Sequence, residues 1–196
     1  EYNMEINDNF LLASVSKLFT TSVILNLFSQ NKISLEDRIY KFFSDEEINN
    51  LNNINGNDYT KEVTIENLLY QNSGLPDPEI NLKMGDRIKS SALSFENLMK
   101  QTRDIEGIFL PNSRKSYYSS VNFILLGEIA ERIEKRNLSE IFENIIFKPL
   151  AMNKSYLSKE GKYLPKCYFK NNYIDLSKRV IASKGAGGGI SSSEDL

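Results

Sequence analysis

The chain has 196 residues, 40% of them apolar and 26% charged, with a formal net charge of −2. That length and balance suit one domain with a buried core, and the near-neutral charge offers no footprint for nucleic acid or a membrane surface. It contains no histidine and one cysteine, Cys167. Histidine triads, Cys–His pairs, histidine-bound metals, multi-cysteine zinc sites and an intrachain disulfide are therefore excluded within it. Any hydrolytic chemistry must move its protons on Lys, Tyr, Asp or Glu. Cys167 alone reads as a small hydrophobe rather than a nucleophile. The longest apolar stretch, 23–28, is interrupted by Asn26 and is far too short to span a bilayer. The chain opens on Glu1 rather than Met, which fits a leader already removed.

Residues 14–30 carry Leu18, Phe19, Val23, Leu25 and Leu27 around the whole circumference of a helix, the pattern of a buried core element. Ser34 is expected to cap a short helix, with Glu36 and Asp37 in its first turn and Ile39, Phe42 and Phe43 behind them. The Asn-rich stretch 45–59 reads as a solvated loop. Thr64 caps a helix over 65–70, which Asn72-Ser73-Gly74 and Pro76 end. Ser94 caps another over 95–102, and 107–115 is a loop containing Pro111. The clearest helix covers 121–136, with Phe123, Leu126, Ile129, Ala130 and Ile133 facing inward. Ser139 is expected to cap a last helix, 140–147, ended by Pro149. Beyond Met152 the pattern becomes Tyr-rich and weakly alternating, as in short strands or extended loops. Residues 185–189 read as a glycine-permissive turn. Ser191, Ser192 and Ser193 with Glu194 and Asp195 read as the cap and first turn of a helix whose body is absent. No repeat or linker divides the chain, so 1–196 reads as a single domain.

Ser14 and Lys17 stand three residues apart at a predicted helix start. That spacing puts both on one face, so the lysine amine can reach the serine hydroxyl. A serine needs a neighbouring base before it is a useful nucleophile, and Ser–Lys pairs supply one without histidine. The helix N-terminus and the Ser14 amide would favour developing negative charge. The same spacing at Ser29 and Lys32 falls at a helix end and reads as a solvated pair.

Context separates the two. Residues 10–20, Phe-Leu-Leu-Ala-Ser-Val-Ser-Lys-Leu-Phe-Thr, resemble the nucleophile motif of the class C β-lactamase and D-alanyl-D-alanine carboxypeptidase family of penicillin-recognising serine hydrolases. Residues 63–77 are similar to its helix and Ser-Gly-Leu-Pro turn. Tyr118-Ser119-Ser120, followed by Phe123 and Leu125-Leu126-Gly127, resembles its Tyr-Ser-Asn motif. Lys148-Pro149-Leu150-Ala151-Met152 resembles Pro-Leu-Gly-Met, and Gly187-Gly188-Gly189-Ile190-Ser191 the late Gly-Gly turn. The resemblance implies an α+β, β-lactamase/transpeptidase-like fold, an acyl-enzyme on Ser14, a proton held or relayed by Lys17, and Tyr118 as shuttle to the leaving group. It implies a small-molecule or peptide substrate (a β-lactam, a D-Ala-D-Ala-type peptide or a small ester), no cofactor or metal, and an extracytoplasmic location.

Three departures qualify this. Ser120 stands where the family has Asn, so a substrate-binding role there must be met by a hydroxyl. A shifted register, Ser120-Val121-Asn122, would resemble the Ser-x-Asn of other penicillin-recognising enzymes but misaligns Phe123 and Leu125-Leu126-Gly127, which favours Tyr118. The family's third motif, Lys-Thr-Gly or His-Ser-Gly, has no counterpart, Lys184-Gly185 reading as loop. The chain is expected to hold mainly the helical lobe, truncated at both ends and lacking most of the antiparallel sheet, so that the rest of the domain or another chain would be its partner. The alternative function is a non-catalytic penicillin-binding or sensor homologue, or an inactive fragment.

Overall fold

The computed structural model describes residues 5–80, 82, 94–169 and 171–196. Its axis is helix α1, Ser16–Ser29, preceded by a 3-10 turn over Ala13–Val15 and a strand β1, Phe10–Leu11. The apolar residues that encircle α1 meet two environments. Val23, Ile24 and Leu27 are fully buried, whereas Leu18, Leu25 and Phe28 on another face are 66%, 45% and 43% exposed.

Helix α2, Asp45–Ile48, and the two-residue strands β2, Asn53–Ile54, and β3, Asn57–Asp58, occupy the stretch expected to be a solvated loop. Ser44 and Glu47 form a reciprocal capping box at α2, and the Asn55-Gly56 pair turns the hairpin with φ of +51° and +82°. Ile48, Leu51 and Asn52 are fully buried here. The helix expected after Ser34 is not formed either. Arg38 bridges Thr64 in antiparallel fashion, the Ile39 amide donates to Val63 and the Ile65 amide to Asp37, leaving only a 3-10 turn at Ile39–Lys41. Long-range pairing has outcompeted a weak local helix.

Helix α3, Ile65–Leu69, starts at Thr64, whose side chain accepts from the Asn67 amide, and α4, Phe95–Arg103, starts in the same way at Ser94. Helix α5, Ser120–Glu134, ends on Lys135 in the left-handed conformation. It carries Val121, Leu125, Leu126, Ile129 and Ala130 into the core with no exposure at all. Helix α6, Leu138–Phe142, starts after Asn137 rather than at Ser139, with the Leu138 amide donating to Glu131 at 2.8 Å, and widens into a π turn over Glu143–Phe147 before Pro149. Phe19 of α1 packs edge-on against Phe142 and Phe147, with centroids 6.1 and 5.3 Å apart.

Beyond Met152 come strand β4, Tyr156–Leu157, the hairpin β5, Cys167–Phe169, with β6, Asn172–Ile174, and helix α7, Ser177–Ala182. The residues read as a turn at 185–189 instead form a short helix α8, Lys184–Gly187, and enter strand β7, Gly189–Ser191. β7 is the centre of a three-stranded antiparallel sheet, β1–β7–β4, with Ile190 opposite Leu11 and Tyr156. After β7 the chain turns over residues 193–195, with the Asp195 amide donating to Ser192 Oγ at 3.4 Å and the Asp195 carboxylate accepting from the Lys154 amide and the Ser155 hydroxyl, at 2.8 and 2.7 Å. The α+β, mainly helical character read from the sequence is therefore present, with α5 packed against α1, α3, α6 and α8.

Two contacts hold the loops around this core. Buried Asn52 donates to the Ser73 and Phe109 carbonyls at 3.0 and 3.1 Å. Replacing it with Ala strands both acceptors and should lower the free energy of unfolding by about 2 kcal/mol or more in urea denaturation. Arg132 of α5 donates through two nitrogens to Glu47, at 2.6 and 3.1 Å. Those bonds, with one from the Ser44 amide, outweigh burial and bring the Glu47 carboxyl down to about 2. The pair's stabilisation is thus complete above the ordinary value of 4.5 and is lost as pH falls toward 2. Thermal midpoints should decline across that window, and less steeply in Glu47→Gln.

Candidate active site

The chain reaches the head of α1 through a strained turn. Ala13, a residue with a Cβ, adopts φ +46°. The turn leaves Ser14 exposed while the next turn of α1 buries Ser16, Lys17 and Thr20.

Three hydrogen bonds tie that buried face to the glycine-rich segment near residue 190. The Lys17 amine donates to the Ala186 carbonyl at 2.6 Å, the Thr20 hydroxyl donates to the Gly185 carbonyl at 2.8 Å, and the Gly189 amide donates to Ser16 Oγ at 2.8 Å. The approach is close: a Cβ on Gly185 would lie 2.6 Å from Thr20 Oγ1. Lys17 is 8% exposed and sits 5.0 Å from the Tyr118 ring centroid and 5.7 Å from that of Phe123.

Ser14, Lys17 and Tyr118, separated by up to 104 positions, are brought together. The Tyr118 hydroxyl donates to Ser14 Oγ at 2.7 Å, and Lys17 Nζ lies 3.4 Å from the same oxygen. Burial pushes the Tyr118 phenol up. The hydrogen bonds from Lys17, Ser14 and Ser120 and the Lys17 charge outweigh it, and the group is held below its usual value.

The segment that carries Tyr118 is held from beneath. The Gln71 carbonyl accepts from the Tyr117 amide, and its side-chain oxygen accepts from the Ser119 amide and from Asn122 Nδ2. Ser73 Oγ donates to Asn122 Oδ1 at 2.7 Å. Asp77, 7% exposed, accepts the Ser120 amide on one oxygen and the Glu79 amide on the other, both at 2.8 Å. Ser120 is thus pinned by its own backbone. Sequence reasoning did not single out Gln71 or Asp77, and named Asn122 only as the Asn of a shifted Ser-x-Asn register; Asp77 lies directly after the Ser-Gly-Leu-Pro turn, where a buried carboxylate needs amide donors.

Lys184 of the Lys-Gly pair turns away from this site to Glu128 and Glu131, at 3.2 and 2.8 Å. Cys167 lies on β5, half-buried, and burial pushes its thiol up. A cleft of about 290 Å³ opens over Ser14, lined by Leu11, Ile80, Tyr118, Ser120, Leu176 and Val180 among others.

The fold is that of the β-lactamase/transpeptidase class. The chain belongs to the β-lactamase family, whose profile matches residues 6–196. Protein flp of Staphylococcus aureus (strain COL) is 31% identical over 143 residues, covering 72% of this chain and 26% of that protein. Unguisins hydrolase ungD' of Aspergillus campestris (strain IBT 28561) is 25% identical over 202 residues, covering 95% of this chain and 36% of that one. A D-stereospecific amidohydrolase from Streptomyces sp. superimposes with a TM-score of 0.77 at 23% identity, over 96% of this chain and 58% of its own. The chain thus spans about a quarter to a third of these curated relatives and just over half of that solved structure.

The electrostatic coupling of Tyr118 to Lys17 is measurable directly. Removing the charge in Lys17→Met should raise the tyrosinate midpoint assigned by ultraviolet difference against Tyr118→Phe; an unchanged midpoint would show that the ammonium does not govern the phenol.

Proposed function

We propose that this chain carries the acylating machinery of a serine hydrolase, acting on a β-lactam, a D-Ala-D-Ala-type peptide, or a related amide or small ester. The observation that carries the reading is the meeting of Ser14 Oγ with Tyr118 at 2.7 Å and Lys17 at 3.4 Å at the floor of an open cleft. Family membership and the hydrolase names of two relatives support it.

In this mechanism Lys17 stays an ammonium and favours the phenolate of Tyr118. The phenolate takes the Ser14 proton as Oγ bonds to the substrate carbonyl carbon, and the Ser14 amide donates to the oxyanion. Tyr118 then passes that proton to the departing nitrogen or oxygen as its bond to carbon breaks, leaving an acyl-Ser14 ester. Water, deprotonated by the same phenolate, attacks the ester and restores Ser14. The Ser120 hydroxyl takes the place that the family gives to an amide side chain. That substitution favours a second reading, a penicillin-binding sensor that acylates and releases its acyl group slowly.

Intact-protein mass after incubation with a penicillin tests the proposal. Wild type should gain one acyl group that maps to Ser14, and Ser14→Ala should gain none. Tyr118→Phe should acylate about 10²–10⁴ times more slowly. An adduct that persists in Ser14→Ala would sink the assignment. A stable adduct without turnover would favour the sensor.

A further inference from the structure

Lys184 stands immediately before Gly185 and Ala186, the two residues whose carbonyls accept from Thr20 and Lys17. Its backbone lies in the left-handed region, at φ +39°, although it carries a Cβ. A residue stays in that conformation only where its surroundings over-determine it. Here the Lys184 carbonyl accepts the Gly188 amide at 2.8 Å. Its amine donates to Glu128 Oε2 at 3.2 Å and to Glu131 Oε2 at 2.8 Å.

Both carboxylates come from α5, and their side chains are only 18% exposed. Each is oriented by a further donor. Glu128 Oε1 accepts from Arg132 at 3.3 and 3.4 Å, and Glu131 Oε1 accepts the Leu138 amide at 2.8 Å. Arg132 is held in turn by Glu47. A lone exposed ion pair contributes little, but partly buried charges joined in a network fix geometry. Burial works against the Lys184 charge, and the two carboxylates outweigh it, so the amine is held above its usual value.

Helix α8 is four residues long and lies close against α5. A Cβ on Gly185 would sit 3.2 Å from the Phe123 carbonyl oxygen, and one on Gly127 would sit 3.8 Å from the Gly185 nitrogen. The carboxylates of α5 thus grip the head of α8, while α1 takes its carbonyls through Lys17 and Thr20. So short a segment has little slack, and a movement at Lys184 is passed on to the Ala186 carbonyl, which makes the 2.6 Å contact with Lys17.

We propose that Lys184 is a positioning residue for acylation: clamped by Glu128 and Glu131, it fixes the Ala186 carbonyl and, through it, the place of the Lys17 ammonium beside Ser14 and Tyr118. The inference rests on the acyl-enzyme reading above for the use made of that charge. It goes beyond that reading by giving a share in the reaction to a side chain that does not line the cleft over Ser14.

Two measurements on the full chain test it: the Tyr118 tyrosinate midpoint, by ultraviolet difference against Tyr118→Phe, and the rate at which a penicillin labels Ser14. Lys184→Met should raise the midpoint by about half a pH unit or more, part of what an adjacent opposite charge supplies. It should slow labelling about tenfold or more, as a small misplacement of catalytic groups does. Lys184→Arg, which can still reach both carboxylates, should restore the wild-type midpoint and a rate within about threefold. Lys184→Gly relieves the strained φ, so it should fold at least as well by circular dichroism, yet it should behave as Lys184→Met does. In a Lys17→Met background Lys184→Met should no longer move the midpoint, because the charge that it places is gone.

A lowered melting temperature in Lys184→Met with an unmoved Tyr118 midpoint would make Lys184 merely structural and overturn the proposal. Wild-type behaviour of Lys184→Gly overturns it as well, as does a midpoint shift that persists in the Lys17→Met background. Equal labelling rates in wild type and Lys184→Met overturn it and leave the acyl-enzyme reading standing. A wild type that takes no label removes that reading and this one with it.

Discussion

The site depends on the seam between α1 and the glycine-rich segment at 185–189. Three hydrogen bonds close it, and each uses a side chain from the buried face of one helix, Ser16, Lys17 and Thr20. A lysine taken almost wholly out of water is costly unless its charge is met. Here the Ala186 carbonyl gives the shortest contact, and the aromatic faces of Tyr118 and Phe123 lie within 6 Å of the ammonium. The seam thus fixes where the positive charge stands, and the charge fixes which group beside Ser14 is made more acidic. Small residues at the contact let the backbone of one segment lie against the side chains of the other, which a larger residue at 185 would prevent.

The opposite wall follows a different physical rule. Tyr118 is 46% exposed and is not fixed by packing; its position comes from the polar network below it. Gln71, Ser73 and Asp77 satisfy backbone and side-chain groups of residues 117–122 from underneath. Such a network is stiff when every member is paired. One wall of the site is therefore set by a helix docked on glycines and the other by a hydrogen-bonded loop, and the Ser14 and Tyr118 hydroxyls meet between them.

Much of this could be read from the chain. Thr64 and Ser94 cap the helices they were expected to cap, α5 lies within two residues of its expected span, and Ser14, Lys17 and Tyr118 converge as their motif positions implied. Local signals sufficed there because side-chain caps and helical periodicity are short-range. The failures lie where distant pairing decides. Ser34 resembles a cap, but the Arg38–Thr64 bridge holds the chain extended. Residues 185–189 look like a turn on composition, and only β1 and β4 on either side make their end a strand. The hairpin around Asn55 and Gly56 was legible in principle, since that dipeptide between Ile54 and Asn57 suits a turn with two positive φ angles. Ser191 was read as part of a helix start and instead ends β7, paired with Phe10.

The seam also has a consequence in time. Lys17 and the carbonyl that anchors it are 169 positions apart in sequence. On a ribosome, Ser14 and Lys17 emerge long before their counterpart, and a nascent chain carries the pair without the contact that places its charge. Loop closure over so long a span belongs to late, non-local assembly. The charge beside Ser14 is therefore placed only by the docking event that brings the glycine-rich segment against α1.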